Sequence, residues 1–233
     1  MSTACVDHLV VLAADLASGV DWCERTLGVR PTAGGEHPLM GTHNRILNVS
    51  SPAHPRAYLE VIAINNEAIK QAPASTSRWF DMDDPALQAQ VAAQGPQPIH
   101  WVASLPDVAA GCTALAALGL DRGPLITASR PTPQGLLQWQ ISVRPDGQRL
   151  LDGCLPTLIQ WGAVHPCDSL PPCGVALERL ALQHPQAPLL QAAVSALGLH
   201  TAVPVQTAAV PRIEATLHTP RGPLTLHSLP MPG

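Results

Sequence analysis

The chain has 233 residues, of which 46% are hydrophobic and 13% charged, and its net charge is −4 at pH 7. This composition is typical of a globular protein and excludes a disordered chain. The charge gives no reason to expect a nucleic acid or an anionic membrane as a partner. The chain has no apolar run of the roughly 20 residues that span a bilayer and no N-terminal signal peptide. We therefore expect a cytoplasmic protein with reduced cysteines.

The first predicted module has the order strand, helix, strand, strand, strand. An apolar run at residues 4–12 predicts a buried strand. Asp15 is a suitable N-cap for the following helix, which is apolar at helical spacing as far as Leu27 and ends at Gly28. The remaining predicted elements are a short strand near 29–33, a turn at Gly34-Gly35, strands at 42–49 and 56–64, and a helix at 85–93.

The same order returns twice along the chain. The second module has strands at 98–104, 123–130, 136–143 and 155–161, with a helix that begins after Asp107. The third has strands at 175–183, 203–210, 212–219 and 223–228, with a helix at 187–197. Such units curl into half-barrels, and two of them pair to bury their concave faces.

The predicted fold class is therefore α+β, with repeated βαβββ modules forming a curled mixed-sheet pair of half-barrels. We expect one domain at residues 1–165, in which the paired modules span about 4–64 and 97–162. A third βαβββ-like module follows at 174–230. It either packs on the first two or pairs with its copy in a second chain, and we favour a two-fold homodimer.

Matching polar residues occupy matching points of the first two modules. His8 opens the first strand of one module and His100 that of the other, while Glu60 and Gln160 lie in their last apolar strands. A single histidine would be interpreted as a core residue bonded to backbone, but a symmetric pair favours a shared polar site. Glu60 supports this hypothesis, because a buried carboxylate is costly without a partner. The four residues are thus candidate ligands of one metal.

Short motifs in these modules carry a family resemblance, and they are Val6-Asp-His-Leu-Val-Val11, Thr26-Leu-Gly-Val29, Gly41-Thr-His-Asn44, Tyr58-Leu-Glu-Val61 and Ile99-His-Trp101. Over residues 4–165 the chain resembles the glyoxalase-like branch of the vicinal oxygen chelate superfamily, with glyoxalase I, extradiol dioxygenases and antibiotic-resistance proteins. The resemblance implies a divalent metal (Zn, Ni, Mn or Fe) held by His8, Glu60, His100 and, where the family often has Glu, Gln160.

The resemblance implies a metal-dependent lyase or isomerase that acts on a small molecule with vicinal oxygens. Gln160 cannot accept a proton at neutral pH, so a catalytic base would be Glu60 or a metal-bound hydroxide. Two His and one carboxylate also match the facial triad of iron oxygenases. An extradiol-type dioxygenase and a metal-free protein that sequesters a small molecule therefore stay open as alternatives.

Four further residues are candidates for substrate binding. His43 and Asn44 precede a strand that would line the cavity, and Arg130 and Trp139 form the matching wall of the second module. Arg130 could pair with a substrate carboxylate, and Trp139 could stack on the substrate. Residues 78–81 are either a lid over the cavity or a loop anchor. The remaining histidines are interpreted as structural or solvated.

Overall fold

The computed structural model of the protein describes residues 3–67, 77–132 and 135–230. Their elements, in chain order, are β1 (Cys5–Leu12), α1 (Leu16–Thr26), β2 (Thr32–His37), β3 (Thr42–Asn48), β4 (Tyr58–Ile64), α2 (Pro85–Gln94), β5 (Gln97–Ser104), α3 (Val108–Ala116), β6 (Leu125–Thr132), β7 (Gly135–Ser142), β8 (Thr157–Trp161), β9 (Ala176–His184), α4 (Ala187–Ala196), β10 (Val205–Thr207), β11 (Arg212–Thr219) and β12 (Gly222–His227). The predicted α+β class is confirmed.

The first two modules form one eight-stranded sheet with the strand order β2-β3-β4-β1-β5-β8-β7-β6. Within each module the first and last strands pair in parallel, β1 with β4 and β5 with β8. β1 and β5 pair antiparallel at the centre, which joins the modules. The sheet curls into a half-barrel, as the repeats predict. Strands β2 and β6 are its two edges.

The third module repeats the chain order but not the strand pairing. Its four-stranded sheet has the order β10-β9-β11-β12, and β9 pairs in parallel with β10, the strand that directly follows the helix. In the first module the corresponding first strand pairs in parallel with the last strand instead. The third module is therefore a βαβββ unit by sequence, with a topology of its own.

This module packs on the outer, convex face of the large sheet. Helix α4 contacts α3, and strands β11 and β12 contact β5. One hydrophobic cluster joins both sheets, with Leu9 and Trp101 from the large one and Leu180 and Ile213 from the small one, all fully buried. The concave face of the large sheet therefore stays free for a site. The domain boundaries and the homodimer stay predictions.

The predicted turn at Gly34-Gly35 is wrong, because both glycines lie inside β2. The chain turns after His37 instead, where Met40 N–H donates to the His37 carbonyl. A Cβ on Gly34 would lie 1.9 Å from Asn44 Oδ1, and one on Gly35 would lie 1.3 Å from Arg130 Nη1. These glycines therefore make room for two side chains of neighbouring strands.

Two expectations from composition can be compared with the structure. None of the helices in the described ranges is long and apolar enough to cross a bilayer. All six cysteines are free thiols.

Candidate active site

A buried carboxylate lies behind His8 at the start of the large sheet. The pairing of β1 with β5 is irregular between Val6 and His8, and this β-bulge contains Asp7. The Asp7 carboxylate accepts hydrogen bonds from His8 Nδ1 at 2.7 Å, Trp161 Nε1 at 2.7 Å and His165 Nε2 at 3.2 Å. Burial alone would raise the pKa of Asp7, but the hydrogen bonds from His165 and His8 lower it to about 2. Asp7 is therefore ionised at neutral pH.

An ionised Asp7 determines which nitrogen of His8 is available for chemistry. Its carboxylate can only accept, so Nδ1 of His8 must donate to it. In the neutral ring Nε2 then carries a free lone pair, and this atom lies 3.6 Å from Glu60 Oε2. The His8 ring also stacks on Tyr58, with 4.4 Å between the ring centroids. The ring is thus held on two sides while Nε2 stays open.

Glu60 lies beside His8 because β4 pairs in parallel with β1, with Glu60 opposite Val10. Its Oε1 accepts a hydrogen bond of 2.5 Å from Asn44 Nδ2 on β3. Asn44 Oδ1 accepts in turn from Gly35 N–H at 2.6 Å, which fixes the orientation of the amide. One Glu60 oxygen is thus anchored, and the other faces His8.

His8 and Glu60 line a small cavity of about 60 Å³ on the concave face. It adjoins a larger, mostly apolar cavity of about 450 Å³. The residues that line both cavities are His37, Trp79, Arg130, Trp139 and Ile141. The arrangement is an inner polar chamber that continues into an outer apolar one.

Arg130 is a cation without a partner where the two cavities meet. It belongs to edge strand β6, and its Nη1 occupies the space beside Gly35 on the opposite edge strand, β2. Among the described residues it has no hydrogen bond or ion pair. A substrate anion can therefore bind it without displacing a protein carboxylate.

His100 lies on the concave face but has no free nitrogen. Its Nδ1 donates to the Gly153 carbonyl at 2.9 Å, and its Nε2 accepts from Thr157 N–H at 3.1 Å and lies 3.0 Å from Thr157 Oγ1. Arg122 Nη2 donates to the same Thr157 hydroxyl. Burial, together with the charges of Arg122 and Arg149, holds the pKa of His100 well below its usual value. His100 is thus a neutral side chain in a complete hydrogen-bond network.

The strand register corrects the predicted counterpart of Glu60. Glu60 pairs with Val10 on β1, and Thr157 pairs with Val102, the matching position of β5. Thr157 therefore corresponds to Glu60. Gln160 points to the other face of β8, where its Oε1 accepts from Val108 N–H at the start of α3, at 3.0 Å.

The structure brings together only part of the metal site that the sequence predicts. His8 and Glu60 are suitable ligands, and Asp7 on His8 Nδ1 is the outer partner typical of a metal-bound histidine. No group of three or more His, Cys, Asp or Glu that could hold a metal occurs within the described ranges. Phe80 lines the His8 cavity and packs on His100, 4.8 Å between ring centroids, so it separates the two histidines. The set is one protein ligand short of a catalytic zinc site or a facial triad.

The predicted substrate residues fall into two groups. Asn44, Arg130 and Trp139 line the inner cavity. His43 does not line either cavity, because it follows Thr42 and precedes Asn44 in β3 and so points to the opposite face. Alternation along a strand allows only one residue of the pair to reach the substrate.

The segment at residues 77–84 is anchored at the site. Phe80 is buried, and Asp81 accepts from Arg149 Nε at 2.9 Å. Phe80 and Asp81 have φ angles of 62° and 56°, a left-handed backbone that is strained for such residues. The anchoring interpretation describes this segment better than a free lid does.

Sequence reasoning missed four residues at the site: Asp7, His37, Trp161 and His165. The signal for Asp7 was present, because an acidic residue inside an apolar strand needs a buried partner. Trp161 ends β8 and His165 follows it, and both reach Asp7 only through the fold. Their role could not be derived from local pattern.

Comparisons with known proteins identify the family. A family model described as a glyoxalase-like domain matches residues 6–198, and no curated protein matches the chain. A hypothetical protein from Staphylococcus aureus is 15% identical with a TM-score of 0.52, over 96% of this chain and 85% of that chain, which shows a shared fold.

Two methylmalonyl-CoA epimerases are also similar. The Streptomyces coelicolor enzyme, in complex with 2-nitronate-propionyl-CoA, is 17% identical with a TM-score of 0.42, over 70% of this chain and 99% of that chain. The Mycobacterium tuberculosis enzyme is 16% identical with a TM-score of 0.38, over 69% and 91%. With the family model covering most of its length, the chain belongs to the glyoxalase-like domain family of the vicinal oxygen chelate superfamily.

Proposed function

We propose that this protein is an acid–base enzyme of the lyase or isomerase type, which moves a proton at a carbon next to a carbonyl in a small anionic molecule. The observation that carries the proposal is the pair formed by His8 Nε2 and Glu60 Oε2, 3.6 Å apart on the wall of a cavity. Ionised Asp7 lies behind this pair, and the unpaired cation Arg130 lines the same cavity.

The pair can supply a general base and a general acid. When the two groups hold one proton between them, one can take a proton from the substrate while the other returns one to a neighbouring atom. Asp7 keeps Nε2 of His8 as the reactive nitrogen, and Asn44 holds the Glu60 carboxylate in place. Both groups are nearly buried, which keeps bulk water from competing for the proton.

The cavities favour a substrate with an anionic head and an apolar tail. Arg130 would bind a carboxylate, and a carbonyl next to that carboxylate gives the vicinal oxygens expected for the superfamily. The tail would enter the outer cavity of about 450 Å³, which is lined by apolar residues such as Met40, Ile126 and Val143. A 2-oxo acid with a medium-length alkyl or aromatic tail has all these features.

Proton exchange in D₂O tests the proposal without knowledge of the physiological substrate. A panel of 2-oxo acids, from pyruvate to longer alkyl and aromatic members, is incubated with the protein, and proton NMR follows deuterium uptake beside the carbonyl. We expect enzyme-dependent exchange that is fastest for members with an apolar tail. His8→Asn should lower the exchange rate about 10²- to 10⁴-fold, and Arg130→Met should raise KM about 10- to 100-fold.

The proposal would be rejected by two results of this experiment. One is an absence of catalysed exchange with every member of the panel. The other is exchange that persists unchanged in His8→Asn and in Glu60→Gln, since both variants lack one member of the pair. Circular dichroism of each variant confirms that it is folded before its rate is interpreted.

A metal-dependent form of the same reaction is the second candidate, and the Asp7–His8 hydrogen bond is the observation in its favour. His8 and Glu60 would hold the ion, which would stabilise the negative charge that develops on a substrate oxygen. The exchange assay is therefore run after chelation and again with Zn²⁺, Ni²⁺, Mn²⁺ or Fe²⁺. Exchange that needs one of these ions supports this form, and oxygen consumption with Fe²⁺ would favour a dioxygenase. Binding without turnover would favour a sequestering protein.

A further inference from the structure

A further cavity lies on the other side of Phe80. Its volume is about 10 Å³, and Trp79, Phe80, Arg122, Ser142 and Thr157 are among the residues that line it. This is room for about one water-sized species. Thr157 also bonds His100, so the cavity adjoins the counterpart of the His8–Glu60 pair.

Arg122 lines this cavity and has a positive charge without an ion-pair partner. The side chain is 4% exposed. Its Nη2 donates to Thr157 Oγ1, but Nε and Nη1 have no partner. Burial lowers the pKa of Arg122 only to about 10, so the group is charged at neutral pH. A buried charge that has no counter-charge strongly destabilises a fold.

No side-chain carboxylate of the chain forms an ion pair with Arg122. All 17 Asp and Glu residues lie in the described ranges, and none of them forms an ion pair with Arg122 there. Asp146 and Asp121 are near enough to raise the pKa of Arg122, but neither forms an ion pair with it, and Asp146 is paired with Arg144. The residues that line the cavity include no acidic side chain. A counter-charge in direct contact with Arg122 would therefore have to come from a bound species.

The other polar groups of the cavity are donors as well. The Trp79 indole N–H is buried without an acceptor. Ser142 Oγ already accepts from Leu158 N–H at 3.1 Å, so its own hydrogen is left for another acceptor. A water molecule would accept from two of these donors and would leave the charge of Arg122 in place. An anion accepts from all of them and neutralises it.

We propose that this cavity binds a single monatomic anion, with chloride as the ordinary occupant. Its room for about one water-sized species matches a halide ion better than a carboxylate or a phosphate group, which have three or more heavy atoms. Arg122 supplies the charge, and Ser142 and Trp79 supply neutral donors. The inference is independent of the reaction proposed above, because Phe80 separates the two cavities.

Thermal unfolding at constant ionic strength tests the anion site. The melting temperature is measured in 0.2 M sodium gluconate, whose anion is too large for the cavity, and in mixtures in which chloride or bromide replaces gluconate. We expect a saturable rise of about 3 to 6 °C if 0.2 M chloride is about ten times its Kd. A melting temperature that does not depend on the halide would overturn the proposal.

Substitutions test whether Arg122 binds the anion. Arg122→Met should abolish the halide-dependent rise, and Ser142→Ala should move its midpoint to a higher chloride concentration. Arg30→Met is the matched control, because Arg30 follows α1 of the first module as Arg122 follows α3 of the second, but Arg30 is exposed and paired with Glu24. If Arg122→Met does not fold, the Ser142→Ala midpoint decides, and an unchanged midpoint counts against the site.

A crystal soaked in bromide gives the direct readout. We expect an anomalous difference peak within hydrogen-bond distance of Arg122 Nε and Nη1. Density for a water molecule without an anomalous signal, or bromide bound only elsewhere on the protein, would contradict the inference.

Discussion

The two paired modules present the same strand positions to the concave face, but the chemistry at these positions is opposite. In the first module His8 faces the carboxylate of Glu60 and has a free nitrogen. In the second, His100 faces the hydroxyl of Thr157, both its nitrogens are bonded, and Arg122 adds a positive charge. The duplicated scaffold therefore fixes where the polar groups lie. Single residue differences decide whether the histidine at that position has a free nitrogen or has both nitrogens hydrogen-bonded.

Residues outside the repeated pattern make the difference. Asp7 orients His8 from a bulge, and Gly35 opposite Arg130 leaves room for a free cation. In the second half, Phe80 fills the space in front of His100. The functional asymmetry thus arises from a bulge, a glycine and a loop, and each of the following changes tests one part of it.

The largest effect is expected from making the first half resemble the second. Glu60→Thr removes one member of the acid–base pair and should lower the rate of proton exchange about 10²- to 10⁴-fold. The matched control is Thr157→Ser, which keeps the hydroxyl of the second half and should leave the rate within about twofold. A rate that survives Glu60→Thr would show that the two halves do not differ in the way proposed.

A smaller effect, on stability, is expected from His100→Leu. The substitution leaves the Gly153 carbonyl and the Thr157 N–H buried without partners, at about 1–3 kcal/mol for each group. We expect a loss of about 3 kcal/mol in the free energy of unfolding at pH 7, measured with urea. His8→Asn is the comparison, and a loss of equal size there would mean that both histidines are structural.

His100→Leu should also change how stability depends on pH. The pKa of His100 is lowered in the folded state, so the unfolded chain takes up a proton near pH 6.5 that the folded protein does not. This contribution to stability is present above about pH 6.5 and is lost as the pH falls below it. The slope of stability against pH between 6.5 and 5 should be lower in His100→Leu than in the unaltered protein.

In the first module, Asp7 should make the largest contribution to the pH dependence of stability, and at a more acidic pH than His100 does. Its pKa is about 2 when folded and 3.8 in the reference state, a difference of about 2 kcal/mol. Because the folded pKa is lower, this stabilisation is complete above about pH 4 and disappears as the pH falls towards 2. Urea unfolding at pH 5 and pH 2.5 should show the loss, and Asp7→Asn should abolish it. An equal loss in the variant would assign the acid sensitivity to other carboxylates.

The smallest effect is expected from Gly35→Ala. A methyl group at Gly35 takes the place of Arg130 Nη1, and the flexible guanidinium must move away. We expect KM for an anionic substrate to rise about tenfold with little change in stability. Gly162→Ala is the matched control, because Gly162 has no positive φ, lines neither cavity and could hold a methyl group no closer than 3.4 Å to another residue. An unchanged KM would show that Arg130 does not bind the anion.

The sequence predicted the modules well and the strand register poorly. Apolar runs and N-cap residues located the helices and most strands, because these signals are local. The pairing of Glu60 with Gln160 was mistaken, since a polar residue in an apolar strand does not reveal which face it occupies. In β8 the residues 157, 159 and 161 share one face and Gln160 lies on the other. Register depends on contacts with β5, which no local pattern contains.

Four of the predicted residues line one cavity: His8, Asn44, Glu60 and Arg130. His8 and Glu60 were proposed because they are polar residues in apolar strands, Asn44 from its motif and Arg130 from its place in the second module, and their roles stay predictions. Asp7 was passed over beside the more conspicuous His8. Trp161 and His165 lie more than 150 positions from Asp7 and meet it only when the sheet has formed.

The wall between the two halves is the loop that carries Phe80, and its backbone is under strain. Two consecutive left-handed residues cost of order 1–3 kcal/mol each. The ion pair of Asp81 with Arg149 and the bond from Asp81 N–H to the Gly147 carbonyl hold them there. The position of Phe80 between the two cavities therefore depends on both contacts of Asp81. If these contacts of Asp81 are lost, we expect the Phe80 ring to move and the two cavities to merge into one that accepts a larger ligand.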